Sequence, residues 1–147
     1  MPTSAPRSIS PKASIEAECL RRGRAAVISG CIDVLAGHDA DDGLIMALSN
    51  ECAAAVLAGR EGGRKGYWPR VWAARGLLYA WDDSAGAVII AAADDEHWRV
   101  REMAARVIAR NRVGDGIGAV LALRDDPVLR VRVAAARAVA ALTAVGA

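Results

Sequence analysis

Phenylalanine is absent from the chain, lysine stands only at Lys12 and Lys65, and histidine only at His38 and His97. Each scarcity excludes something. Two histidines in separate segments cannot be assembled with neighbours into metal or nucleophilic machinery. Cys19, Cys31 and Cys52 are odd in number and lack CxxC spacing, which argues against a disulfide framework or a structural zinc site. Cys19 and Cys31 fall within helical apolar patterns and read as buried free thiols, so a reducing, cytoplasmic setting is expected. Uncharged apolar runs are short: "SAGAVIIAAA", from Ser84, reaches about half a bilayer. The opening "MPTSAPRSISPKAS" has no apolar h-region and reads as a loose tail over residues 1–13. A formal charge of +2 is too small to mark an obligate nucleic-acid binder.

What is present is alanine, valine, leucine and arginine. Apolar residues make up 54% of the chain although aromatics are only 4%, a mix that suits helices packed closely through small side chains. The strongest signal is repetition at a shift of 31 residues. In that register Arg70, Arg101 and Arg132 coincide, as do Ala73, Ala104 and Ala135, and Ala74, Ala105 and Ala136. Arg75, Arg106 and Arg137 follow, then Leu77, Ile108 and Val139; upstream, Asp94-Asp95 falls on Asp125-Asp126.

Inside each unit the period is helical. Val100, Ala104, Val107, Ile108 and Asn111 lie on one face, matched by Val131, Ala135, Ala138, Val139 and Leu142. A shorter apolar segment precedes each acidic pair, with Ser84 and Asp115 at equivalent positions suited to N-caps. Each unit is therefore a short helix, an Asp-Asp turn and a longer helix, Pro127 opening the last of these. The N-terminal third is helical without the period: one helix is expected over residues 14–36 and a second over residues 42–58. Terminal units that seal a stack are usually atypical, so residues 14–60 read as a divergent helical cap on repeats spanning residues 63–145, all within one domain, 14–147.

The turn acid, Val100-Arg101, Ala104-Ala105 and Val107-Ile108, with their mates Asp125, Val131-Arg132, Ala135-Ala136 and Val139, resemble the short HEAT-like repeats of phycobilisome-lyase-type proteins. The resemblance covers residues 63–145 and implies an all-α fold, a right-handed α-solenoid of HEAT-like helical hairpins. It also implies a structural ladder in which Arg101 and Arg132 bond Asp94 or Asp125. In the first unit Gly63-Arg64 replaces the acidic pair, which puts Arg70 outside that expectation.

Two loops invite chemistry without supporting it. "GHDADDG", His38 to Gly43, lacks calcium-loop spacing and serves as a connection with Asp41 or Asp42 capping the next helix. "GREGGRKG" has neither P-loop spacing nor a preceding strand. No metal and no cofactor are expected. The better lead is a stripe on the second helices. Trp68, Trp72, Arg75 and Tyr79 share one face of their helix. Arg99, Arg106 and Arg110, then Arg130 and Arg137, continue the stripe in the following units. Second helices of HEAT-like stacks line the concave surface. The resemblance thus implies a non-catalytic scaffold that offers an Arg/Trp-rich groove to an acidic or extended protein partner. Two readings of the stripe are open: an exposed groove, or aromatics covered by the cap with ordinary surface arginines beside them. Nucleic-acid binding, as in HEAT-like DNA glycosylases, and a chromophore-lyase-like accessory role are the other function classes.

Overall fold

A computed structural model describes residues 9–144. Residues 1–8, most of the expected tail, and residues 145–147 lie outside the described residues. The described chain is all-helical, with nine α-helices, two single turns of 3-10 helix and no strand among the described residues.

Four helices precede Tyr67. Helix α1, Pro11–Arg22, starts three residues earlier than the sequence pattern indicates, because Ser10 accepts the Ala13 N–H and Pro11 sits at the first helical position. The single helix expected over residues 14–36 is in fact two. Gly23 adopts φ +95°, a conformation other residues rarely reach, and separates α1 from α2, Arg24–Leu35. The second expected helix also divides, into α3, Asp42–Leu48, and the single turn α4, Ala54–Leu57. Asn50 and Glu51 between them both hold positive φ, at 59° and 67°. Asp41 caps α3 by accepting the Leu44 N–H at 2.9 Å, as its position in the acidic loop suggested.

The rest is built from helical pairs. Helix α5, Tyr67–Tyr79, is followed by a 3-10 turn and the pair α6, Gly86–Ala92, and α7, Trp98–Arg110. A second 3-10 turn leads to α8, Ile117–Leu123, and α9, Leu129–Thr143. The N-cap expected at Ser84 belongs to Asp82, which accepts the Ser84 N–H at 2.8 Å. Pro127 lies two residues ahead of α9, not in its first turn.

Each long helix packs on the next: α2 on α5, α5 on α7, α7 on α9, with α6 and α8 each against the long helix that follows it. Close approach comes from alanine. Ala73, Ala104 and Ala135 are fully buried, as are Ala74 and Ala105, and only small side chains leave room for backbones at those positions. Gly76 takes the principle furthest. A Cβ there would lie 2.8 Å from Leu48 Cδ2 and 2.9 Å from Cys31 Sγ, so the bare glycine leaves the room that these two side chains of the N-terminal helices occupy against α5. Ile15, Leu48, Leu77, Ile89, Ile108 and Val131 fill the layer between helices.

Candidate functional site

The arginines form a recurring pattern, although not with the acids first expected. Arg101 makes a two-pronged contact with Asp126, Nε to Oδ2 at 2.8 Å and Nη2 to Oδ1 at 3.3 Å. Its partner is therefore Asp126 and not Asp125, and neither Asp94 nor Asp125 takes part: both are exposed. Arg70, left without a partner by the sequence pattern, repeats the contact with Asp95 at 2.8 and 3.2 Å. The pairs are each 25 residues apart, so the acid comes from the turn of the following unit. Arg64, which replaces the first unit's acid, instead pairs with Asp42 of the N-terminal part.

The same aspartates organise their own turns. Asp95 accepts the His97 N–H and Asp126 the Val128 N–H, both at 2.9 Å, which ties each ion pair to the start of a long helix. Burial pushes the Asp126 carboxyl up, but the Arg101 fork and the Val128 N–H outweigh it and hold the group below the ordinary carboxylate range. The N-terminal helices carry an independent version. Arg22 forks onto Asp41 at 2.7 and 3.1 Å, and that bond, with the Leu44 N–H, lowers Asp41 to about 2.

The stripe on the second helices divides into three environments. Its first part is core. Trp72 is only 7% exposed, so it is not available as a partner anchor. Arg75 turns inward, donates to the Leu48 carbonyl at 2.9 Å and keeps Nε buried without an acceptor. Desolvation lowers its pKa. Trp72 and Arg75 are therefore not part of the groove.

The second part is a stack of rings and guanidinium groups. Trp68 packs on Trp72 and is half-buried. The Arg99 guanidinium lies 5.2 Å from the Trp68 ring centre and 4.5 Å from that of Trp98; Arg130 lies 5.3 Å from Trp98 on the next unit. Tyr67 stacks on His97 with centroids 3.5 Å apart. Burial lowers the His97 pKa, and Arg99 adds to the effect. Arg130 is further engaged by Glu102 at 3.0 Å. These cations brace adjacent units at roughly 0.5–1 kcal/mol per contact. Trp98, which the sequence pattern treated as a packing residue, is the centre of this stack; the aromatic-then-arginine alternation at equivalent positions was the signal for it.

The third part is open. Tyr79, Arg106, Arg110, Arg130 and Arg137 line a groove of about 720 Å³ that runs across α5, α7 and α9, floored by Leu78, Ala109, Val133 and Ala134. Arg106, Arg110 and Arg137 are exposed and make no ion pair among the described residues. The groove is therefore cationic at its rim and apolar at its base. No group of three or more potential metal ligands occurs among the described residues. None of the described helices is long and apolar enough to cross a membrane. The three cysteines are unpaired; Cys31 is buried, which pushes its thiol up to about 12, Cys19 is half-buried and Cys52 exposed. Comparison with protein-family models, curated proteins and solved structures finds no match.

Proposed function

We propose that this chain is a non-catalytic protein-interaction module, a short right-handed α-solenoid of HEAT-like hairpins with a helical cap, whose concave groove receives an acidic, extended segment of a partner protein. The observation that carries the reading is the trio Arg106, Arg110 and Arg137. Three guanidinium groups without carboxylate partners among the described residues converge on a groove with an apolar floor. Guanidinium forks match carboxylates in a planar, bidentate way, and apolar anchors between them supply the desolvated contact that most interface energy requires. A module of this kind suits a reducing cytoplasm, where its three free thiols would persist.

Nucleic acid is the weaker candidate for the same groove. Arg106, Arg110 and Arg137 are too few cations to track a phosphodiester backbone, and the formal net charge is only +2. Fluorescence anisotropy tests the choice, using a labelled peptide rich in Asp and Glu with leucine anchors, and a single-stranded oligonucleotide of matched length. The peptide binds the wild type, and R106E/R110E weakens it by about ten-fold or more, about 1.4 kcal/mol per decade. Tighter binding of the oligonucleotide, with a steep salt dependence, would reverse the assignment.

A further inference from the structure

Helices α7 and α9 start 31 residues apart, as do α6 and α8, so residues one sequence period apart hold equivalent places on neighbouring long helices. Arg106 and Arg137 are such a pair. Both are exposed, both line the groove, and neither has an ion-pair partner among the described residues. Arg137 does not owe its exposure to its place near the end of the sequence, because Arg106 is equally exposed with α9 packed beside α7. The third member of the series, Arg75, is withdrawn. It donates to the Leu48 carbonyl at 2.9 Å, and α5 lines the groove with Leu78 and Tyr79 instead. From α9 to α5 the groove therefore offers a cation, a second cation and then an apolar surface, one on each long helix.

The helices set the spacing of that order. Axes of packed helices lie about 8–10 Å apart, and equivalent residues leave them at equivalent points, so carboxylates that meet Arg106 and Arg137 lie about that far apart on one face of the occupant. A β-strand does not supply this spacing: residues of one face come about 6.7 Å apart at every second position and about 13 Å apart at every fourth. A polyproline II segment does. Three residues complete its turn and advance it by about 9.3 Å, so every third side chain returns to the same face. One turn of such a segment matches one step between long helices.

Building on the proposed role of the groove, we infer that the acidic segment it receives takes the polyproline II conformation and carries its acids three residues apart, with an apolar residue three further on for Leu78 and Tyr79. Arg137 and Arg106 take one carboxylate each. Arg110 stands four residues beyond Arg106, about 6 Å along α7, and adds attraction without setting the spacing.

Rigid peptides read this spacing against the whole chain. Three proline-rich peptides each carry two aspartates, separated by one, two or three prolines, and a leucine three residues outside each aspartate. Circular dichroism verifies their polyproline II form, and anisotropy gives their affinities. The two-proline peptide binds about five-fold more tightly than the other two, the size of one exposed ion pair between long side chains. Arg137→Ala abolishes that preference, whereas Arg110→Ala weakens all three peptides alike and preserves it; both substitutions alter exposed side chains and leave the melting midpoint in place. Equal affinities for the three, or a preference that survives Arg137→Ala, overturns the inference. So does tighter binding of a helical peptide with aspartates seven residues apart, about 10.5 Å along its axis. In each of those cases the groove remains a receptor for acidic segments. Binding of the flexible Asp- and Glu-rich peptide with none of the rigid ones likewise sinks the spacing alone, while failure of every acidic peptide removes the groove reading and this inference together.

Discussion

Asp125 and Asp126 are adjacent, share a charge and repeat equally well at the same spacing, yet only Asp126 is 8% exposed and bonded to Arg101. The difference arises in the turn. Asp126 can accept the N–H two residues ahead at the helix start, and that bond aims its carboxylate at the preceding unit. No residue identity separates the two aspartates, so the choice was not legible in the sequence. Arg70 was misjudged for a related reason: the acid was sought in its own unit, whereas it comes from the next one. Asp126→Asn should cost about 2–3 kcal/mol in denaturant unfolding, since it strips a charge-assisted fork from a largely buried arginine. Asp125→Asn should stay within about 0.5 kcal/mol. Equal losses at the two sites would contradict the assignment. The pH dependence follows with its sign. Asp126 and Asp41 both titrate below their unfolded values, so their stabilisation is complete above about pH 4 and fades as the pH falls through the folded values. His97 is also lowered, by burial first and Arg99 second, and its Nδ1 accepts the Arg99 N–H. Its contribution is present above about pH 6.5 and is lost on acidification. Melting midpoints should therefore slip slightly below about pH 6 and fall steeply below about pH 4, with the steep limb shallower in Asp126→Asn.

Among the elements, α7 and α9 show why the helical period was readable while their environments were not. Val100, Ala104, Val107 and Ile108 form the buried face that their spacing describes, and Val131, Ala135 and Ala138 repeat it. Periodicity identifies a face that wants to be covered and says nothing about which neighbour covers it. Hence the stripe from Trp68 to Tyr79 had two open readings, and the structure divides them: Trp72 and Arg75 are taken up by the fold, while Tyr79 borders the groove. The break at Gly23 was hidden by the same logic, because the apolar positions on either side continue in phase across it. Gly23→Ala should destabilise the protein by about 1 kcal/mol, since φ +95° strains any other residue although nothing lies within 4 Å of the added methyl. Equivalent alanines give the sharper contrast. Ala105→Leu should cost about 1–3 kcal/mol by overpacking the contact between units, whereas Ala136→Leu on the exposed face should leave the melting midpoint nearly unchanged. Similar effects at both positions would mean that the two faces are not covered differently.

At the level of the whole molecule, the open feature is one cationic groove with an apolar floor. The groove combines side chains from three successive long helices, so no single helix could present it, and its charge is left over after Arg99 and Arg130 are engaged by tryptophans and Glu102. Sequence alone supplied the arginines but could not say which were occupied, because the competing partners come from other units. The most direct measurement is a charge-swap experiment on the groove. Binding of the acidic peptide to wild-type protein and of a lysine-substituted version to R106E/R110E is compared by anisotropy, with melting midpoints confirming that both proteins fold. The matched pairs should bind and the mismatched pairs should be weaker by about ten-fold or more. Equal affinity of the acidic peptide for both proteins would contradict the groove as its receptor.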